Sequence, residues 1–194
     1  MNYFISDLHL FHQNCISFDN RPFETIFDMH NAIINNWNSV VCPDDDVYFL
    51  GDLSFGNLKE TYEVLKQLNG KLHWIMGNHD RKYYKAQFIR YMFVEICEYK
   101  QLNIDSNTSI ILSHYPIPMF KNMYRGWYHL YGHVHTSFEW NMVENMKSQL
   151  KALYSKKDGK PEEKVCNMYN VGCMLPYMNY TPRTIEEIID SNKS

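Results

Sequence analysis

Seven side chains able to bind a cation stand just beyond short apolar runs in this chain, and their placement limits how it can fold. Asp7 and His9 lie in ISDLH, Asp52 in FLGD, Asn78 in IMGNHD, His114 in IILSH, and His133 and His135 in LYGHVH. One such fragment alone is a common accident. Five in order, each after a strand-like stretch, describe a single site at the carboxyl edge of a sheet, where open α/β folds place their chemistry. The donors are oxygen or imidazole nitrogen, never sulfur. That set suits a divalent transition metal held for catalysis better than a structural zinc.

The runs between these motifs alternate in type. Residues 2–6 read as a buried strand, and 24–40 as a helix with Ile26, Met29, Ile33, Trp37 and Val40 at three- and four-residue spacing. Val47 to Leu50 reads as a strand. Residues 58–68 read as a helix with Leu58, Tyr62, Leu65 and Leu68 on one face and Asn69-Gly70 as its stop. Leu72 to Met76 is the next strand, and a helix is predicted from the low eighties to about Tyr91. Beyond this point strands dominate: 93–103 and 108–113 as a hairpin, then 127–132 and 165–172, with a terminal helix from Thr184 to Asp190. The expected architecture is α/β (α+β), a two-sheet β-sandwich flanked by helices and forming one domain over 1–194. A polar, lysine-rich excursion occupies about 142–164, and its end reads as mobile.

At 194 residues the chain is long enough for a substantial core, and 45% hydrophobic residues with 15% aromatics mark a globular protein. A net charge of −3 leaves no large basic footprint for nucleic acid, although a local patch stays open. The five cysteines, an odd number with no C-x-x-C, read as free thiols in a reducing compartment. The chain enters a strand at once, without a signal peptide, and no run approaches the length of a membrane span. A cytoplasmic location and no membrane partner are the resulting expectations; oligomeric state stays open.

Side chains two apart on an extended strand point the same way, so Asp7 with His9, and His133 with His135, are expected to converge. Glycine directly precedes Asp52, Asn78 and His133 and allows close backbone approach. Asp52 has two oxygens with which to bridge two cations, and Asn78 offers a neutral amide oxygen. A two-ion site holds its ions roughly 3.5–4 Å apart and acidifies a water for in-line attack on phosphorus. His79 is left over from ligation and is suited to donating a proton to the leaving oxygen or to stabilising charge there.

In order, D-x-H, G-D, G-N-H-D, S-H and G-H-V-H resemble the motifs of the calcineurin-like metallophosphoesterases over residues 3 to 135. Within that superfamily SDLHLFHQN, NRPF and NWNSVV are similar to the small, single-domain bacterial and phage-type phosphoesterases. The resemblance implies a two-sheet sandwich and two metal ions, with manganese the leading choice and iron or zinc the others. It implies one ion at Asp7, His9, Asp52 and His135, and a second at Asp52, Asn78, His114 and His133. His79 matches the family's catalytic histidine. Phe55 departs from the pattern, because many members place there an aspartate or histidine that orients the catalytic histidine. Asp80, a main-chain carbonyl or water is left to do so here.

The implied function is hydrolysis of a small, nucleotide-like phosphoester, as a phosphodiesterase or phosphatase. A nuclease is the alternative, disfavoured by the acidic balance. A non-catalytic interaction scaffold is the alternative of another class, disfavoured by the complete ligand set. His12 is a candidate phosphate contact. Arg21 and Arg81 are candidate phosphate clamps, with helix-end ion pairing as their competing role. Arg125 is a further candidate, amid Tyr115, Tyr124, Trp127 and Tyr128, which either line a pocket for an organic group or belong to the core. His30, His73 and His129 carry no motif and read as structural. The lysines at 147, 151, 156, 157, 160 and 164 read as a solvated face.

Overall fold

The first apolar run forms β1 (Asn2–Ile5), followed in space by β2 (Asp46–Phe49), β3 (Lys71–Ile75) and β4 (Phe93–Cys97). The computed structural model describes residues 1–152 and 166–193 in full, with the backbone of 154–157 and 160–163. All four strands run parallel in the order β1-β2-β3-β4. Such a sheet needs cover on both faces, which explains apolar runs such as YFI and VYF in place of strict alternation.

The connecting segments carry their own start signals. Thr25 with Asp28 opens α2 (Ile26–Val40) and Asn57 with Glu60 opens α3 (Leu58–Leu65), each by a reciprocal capping box. On α2, Met29, Ile33 and Trp37 are buried, and the Trp37 indole N–H donates to the Asn69 carbonyl at 2.9 Å. That bond anchors the turn before β3, where Gly70 takes φ +96°. A short α1 (Gln13–Phe18), not foreseen from the pattern, lies between β1 and α2.

Two expectations need correction. The helix predicted from the low eighties to Tyr91 is two single turns, α4 (Arg81–Tyr84) and α5 (Gln87–Arg90), separated by an extended Ala86. Tyr83 and Ile89 are both fully buried. Six positions apart, they would lie about 120° apart on an unbroken helix, so the break brings both to the core. The run 93–103 is also not one strand. It divides at Glu98, after which β5 (Tyr99–Asn103) pairs antiparallel with β6 (Ser109–Ser113) in a second sheet.

That second sheet has the order β10-β7-β6-β5, with β7 spanning Tyr128–Tyr131 and β10 Asn167–Asn170. Its central strands are buried on both faces, and the period of two assigns each face. Ile110, Leu112 and Leu130 pack into the core between the sheets. Ile111, Tyr131 and Met168 pack outward with Val143 and Leu150 of α6 (Phe138–Ala152). Two sheets of four strands flanked by helices are therefore the observed architecture.

The polar excursion is α6 as far as Ala152 and then a two-stranded hairpin, β8 (Tyr154–Lys157) with β9 (Lys160–Glu163). The mobility expected of its end, and the solvated face expected at Lys156, Lys157, Lys160 and Lys164, lie outside the described side chains. Near the C-terminus the chain returns to β1: Ser6 N–H donates to Val171 O and Cys173 N–H to Ser6 O, both at 2.9 Å. Helix α7 (Ile185–Ser191) follows, opened by a Thr184–Glu187 capping box. Among the described residues no helix is long and apolar enough to cross a membrane.

Leu130 is fully buried in the layer between the sheets. Leu130→Ala should lower unfolding stability by about 2–5 kcal/mol, read from urea denaturation. An unchanged midpoint would contradict this account of the core.

Candidate metal centre

All seven expected donors come together, contributed by loops that leave the carboxyl ends of β1, β2, β3, β6 and β7. Among the described residues, Asp7, His9 and His135 form one cluster and Asp52, His114 and His133 another, each with donor atoms within 4.8 Å of one another. Asp52 lies between them. Its Oδ2 is 3.6 Å from His9 Nε2, and its Oδ1 is 3.5 Å from His114 Nε2. His135 Nε2 lies 3.6 Å from Asp7 Oδ1, and Asn78 Oδ1 lies 3.0 Å from His114 Nε2. Donors about 2.0–2.2 Å from a common ion are separated from each other by about 3–4 Å, so this spacing fits ligation.

The convergence does not come from strand alternation. Asp7, His9, Asp52, His133 and His135 have φ of 56°, 50°, 58°, 70° and 45°, in the left-handed region and outside the regular strands. Each such residue costs on the order of 1–2 kcal/mol, so it persists only where its surroundings hold it. Backbone pairing between loops does so here: Asp7 N–H donates to Gly51 O at 3.0 Å and His9 N–H to Asp52 O at 3.1 Å. The glycines let these loops touch. A Cβ on Gly51 would stand 2.5 Å from Gly77 N and 2.7 Å from His114 Nδ1, and one on Gly132 would stand 2.8 Å from the Ser6 Cβ.

Asp80 supports the loops from beneath. It is completely buried, and its carboxylate accepts N–H bonds from Asp52 (3.0 Å), Leu53 (2.8 Å), Gly77 (2.7 Å) and the Trp74 indole (3.0 Å). Burial pushes its pKa up, and these donors offset part of that push. Asp80 therefore joins the loops bearing Asp52 and Asn78 and does not orient the His79 ring.

The imidazoles are prepared as lone-pair donors. His114 Nδ1 donates to the Leu50 carbonyl at 2.7 Å, which turns Nε2 toward Asp52. His135 Nδ1 contacts both oxygens of Asp19, at 2.9 and 3.0 Å, which leaves Nε2 facing Asp7. A carboxylate behind a histidine is a common arrangement at metal sites, where it sets the tautomer. Burial works to lower the pKa of His135, but the Asp19 hydrogen bond and the Asp7 and Asp19 charges outweigh it and hold it raised. Burial, with neighbouring histidines, drives His9 far below its ordinary value and also lowers His133. His9 Nε2 is buried and has no hydrogen-bond partner among the described residues. A neutral imidazole with a buried, unsatisfied nitrogen facing two carboxylates is what a cation would satisfy.

Several expected substrate contacts lie elsewhere. Arg21 is buried beneath the site. It pairs with Asp19 at 2.7 Å and donates to the carbonyls of Leu8 (3.0 Å) and Asp7 (3.1 Å), so it braces the first ligand loop and does not face the cleft. Trp127 is buried in the outer core and donates to Asn107 O at 2.7 Å. Tyr124 and Arg125 line a separate depression beside Met119 and Phe120. Arg81 is exposed and outside the lining of the cleft. His30, His73 and His129 are indeed held structurally. His30 Nε2 accepts from Phe11 N–H at 2.9 Å, His73 sits between Asp46 and Glu95 at 2.7 Å from each, and His129 Nε2 accepts from Ile117 N–H at 2.9 Å.

The cleft over the donors has a volume of about 480 Å³. His79 lines it, with its side chain 46% exposed and Nε2 3.9 Å from Asp52 Oδ2. His12 lines it too, stacked on Phe55 at a ring separation of 4.0 Å. Phe55 in turn lies 4.7 Å from the His79 ring, so an apolar face takes the place of a charged partner there. Sequence reasoning missed Asp19, Phe18 and the bracing role of Asp80. Asp19 sits in FDNRPF, with no local signal for a partner 116 positions away.

A model of the calcineurin-like phosphoesterases matches residues 3–166. The chain belongs to this family. Membership implies metal-dependent hydrolysis of phosphoesters, and the family uses divalent metals. An uncharacterized protein of Methanocaldococcus jannaschii is 36% identical over 137 residues, covering 70% of this chain and 69% of its own. The gene 66 protein of Mycobacterium phage D29 is 26% identical over 192 residues, covering 87% and 95%. In structure the chain is similar to a protein of unknown function from Aquifex aeolicus, with TM-score 0.68, 25% identity and 98% of each chain covered.

Asp80→Asn offers one acceptor oxygen where four N–H groups need two, and turns its own amide N–H toward at least one of them. It should cost about 1–3 kcal/mol of stability, measured with chelator present so that ion binding does not contribute. A wild-type melting temperature under those conditions would remove Asp80 from its bracing role.

Proposed function

We propose that this protein is a phosphoester hydrolase dependent on two divalent ions and acting on a small substrate. Asp7, His9, Asp52 and His135 would hold one ion, and Asp52, Asn78, His114 and His133 the other. The observation that carries the reading is a pair of donor clusters joined through one buried carboxylate, Asp52, at the floor of a cleft that His79 also lines. When bound, such ions neutralise phosphate oxygens and make a water nucleophilic at neutral pH. Manganese is the first choice for the ions, with iron or zinc as the others.

The chain's own groups do the rest. Asp52 and Asp7 supply negative charge from positions almost closed to water, where electrostatic attraction is least screened. Asp19 and the Leu50 carbonyl hold the two imidazoles His135 and His114 in the ligating tautomer. His79 stands at the exposed side of Asp52, and its main-chain N–H donates to Asp52 Oδ1 at 3.1 Å. From there it protonates the departing oxygen. Among the described residues no Lys or Arg lines the cleft, which Glu139 and Asp19 also border. That lining argues against a long polyanionic nucleic acid and for a compact ester.

Two measurements test this. After manganese loading, elemental analysis should find close to two ions per chain, and Asp52→Asn should reduce occupancy of both sites; a metal-free protein would end the proposal. His79→Ala should keep its metal and lower kcat by roughly 10²–10⁴-fold, with a smaller loss for good leaving groups. Unchanged turnover for alkyl and aryl esters alike would take His79 out of the chemistry.

A further inference from the structure

Two clefts, not one, meet at the candidate centre. The first, described above, runs from Asn78 past His79 to Phe18 and Phe55. The second, of about 490 Å³, runs from Asn78 in another direction along Ser113 and Tyr115 to Ile117, with Tyr99 and Glu98 at its rim. Among the described residues Asn78 alone lines both. The Tyr115 ring lies 4.5 Å from that of His133 and 5.2 Å from that of His114, so the second cleft begins beside the second donor cluster.

Each cleft presents aromatic surface to solvent. Phe18 and Phe55 are 53% and 38% exposed, and Tyr99 and Tyr115 are 47% and 50% exposed. Exposed aromatic rings flanking a polar centre are a surface on which a planar organic group stacks. The charge of the clefts narrows the choice. Among the described residues neither is lined by Lys or Arg, whereas Glu139 borders the first and Glu98 the second, the charge of Asp19 being taken up by Arg21. The first cleft also holds His12, Thr136 and Ser137, but beyond the donors neither cleft offers a permanent cation to pair with a second phosphate.

Given the hydrolase reading above, we infer that the substrate is a phosphodiester with two uncharged organic substituents, one seated in each cleft. A monoester would fill one cleft and leave the other in water. His79 lies in the first cleft, so the substituent stacked on Phe55 is the leaving group. Water adds to phosphorus and releases one proton to solvent, the bond from phosphorus to that substituent's oxygen breaks, and the oxygen takes up a proton from His79, which regains one from solvent. The products are an alcohol or phenol and a monoester whose remaining substituent lies along Tyr115.

The test compares bis-p-nitrophenyl phosphate with p-nitrophenyl phosphate on manganese-loaded protein. The diester should have the higher kcat/KM. Phe55→Ala and Tyr115→Ala should each lower diester kcat/KM about tenfold, the loss of one ring contact. The two effects should multiply, because the clefts are separate. Tyr115→Ala should act mainly through KM and should reduce the ratio of diester to monoester kcat/KM, whereas Tyr115→Phe should restore it. Melting temperatures of the variants identify any that merely fail to fold. Calorimetric titration of diphenyl phosphate into the His79→Ala protein adds a binding readout, which Tyr115→Ala should weaken. Preference for the monoester, or equal losses on both esters with Tyr115→Ala, would overturn the two-cleft assignment and leave the hydrolase reading standing. No turnover of either ester would instead remove the hydrolase reading beneath it.

Discussion

Asp80 accepts N–H bonds from three consecutive structural pieces: the turn after β2, the turn after β3 and the Trp74 indole on β3 itself. The loops that carry the donors are irregular, so their amides have no partners in a sheet ladder. A buried amide without a partner costs free energy comparable to a lost hydrogen bond. One carboxylate gathers those amides and sets the distance between the Asp52 and Asn78 loops. Gly51 and Gly77 then let the loops touch, and Arg21 does for the Asp7 loop what Asp80 does for the Asp52 loop, through carbonyls instead of amides. The positions of the candidate ligands are therefore consequences of buried charge below them as much as of the sheets beside them.

This arrangement reconciles strain with order. Five of the donor residues occupy left-handed backbone that an unconstrained chain would leave. In the Asp7 loop these φ values bring Asp7 and His9 to one cluster, and in the loop after β7 they send His133 and His135 to different ones. The convergence anticipated for Asp7 with His9 is met by a different local geometry, whereas His133 and His135 part: His135 joins Asp7 and His9, and His133 joins Asp52 and His114.

The donors were legible because each motif is local and sits at the end of an apolar run, and the order of the runs dictates the edge of the sheet. Capping boxes at Thr25, Asn57 and Thr184 likewise announce helices within four residues. What failed to show is long-range. Nothing near Asp19 encodes His135, and nothing in YRGWYHL says that the register of β7 turns Trp127 toward α6 and away from the cleft. The division of 93–103 between two sheets was hidden for a related reason. Phe93–Cys97 and Tyr99–Asn103 both read as strand, and only their partners, β3 and β6, distinguish them. Arg21 was visible as a cation but not as a buried one, since burial depends on Asp19 and on the carbonyls it meets.

The pairing of Ser6 with Gly172 has a bearing on the order of events during synthesis. The Cys173 thiol donates to the Asp7 carbonyl across 166 positions of sequence, at 3.1 Å. As the chain leaves a ribosome, β1 to β4 emerge early and nearly complete a sheet among themselves. The loop bearing Asp7 and His9 nevertheless lacks its second neighbour until residue 173 has been added. Contacts of such separation form late, after the entropy of closing the loop between them has been met. The cleft between the two donor clusters is thus finished among the last parts of the molecule. A lesion near residue 172 would accordingly be felt at residue 7 without altering any donor.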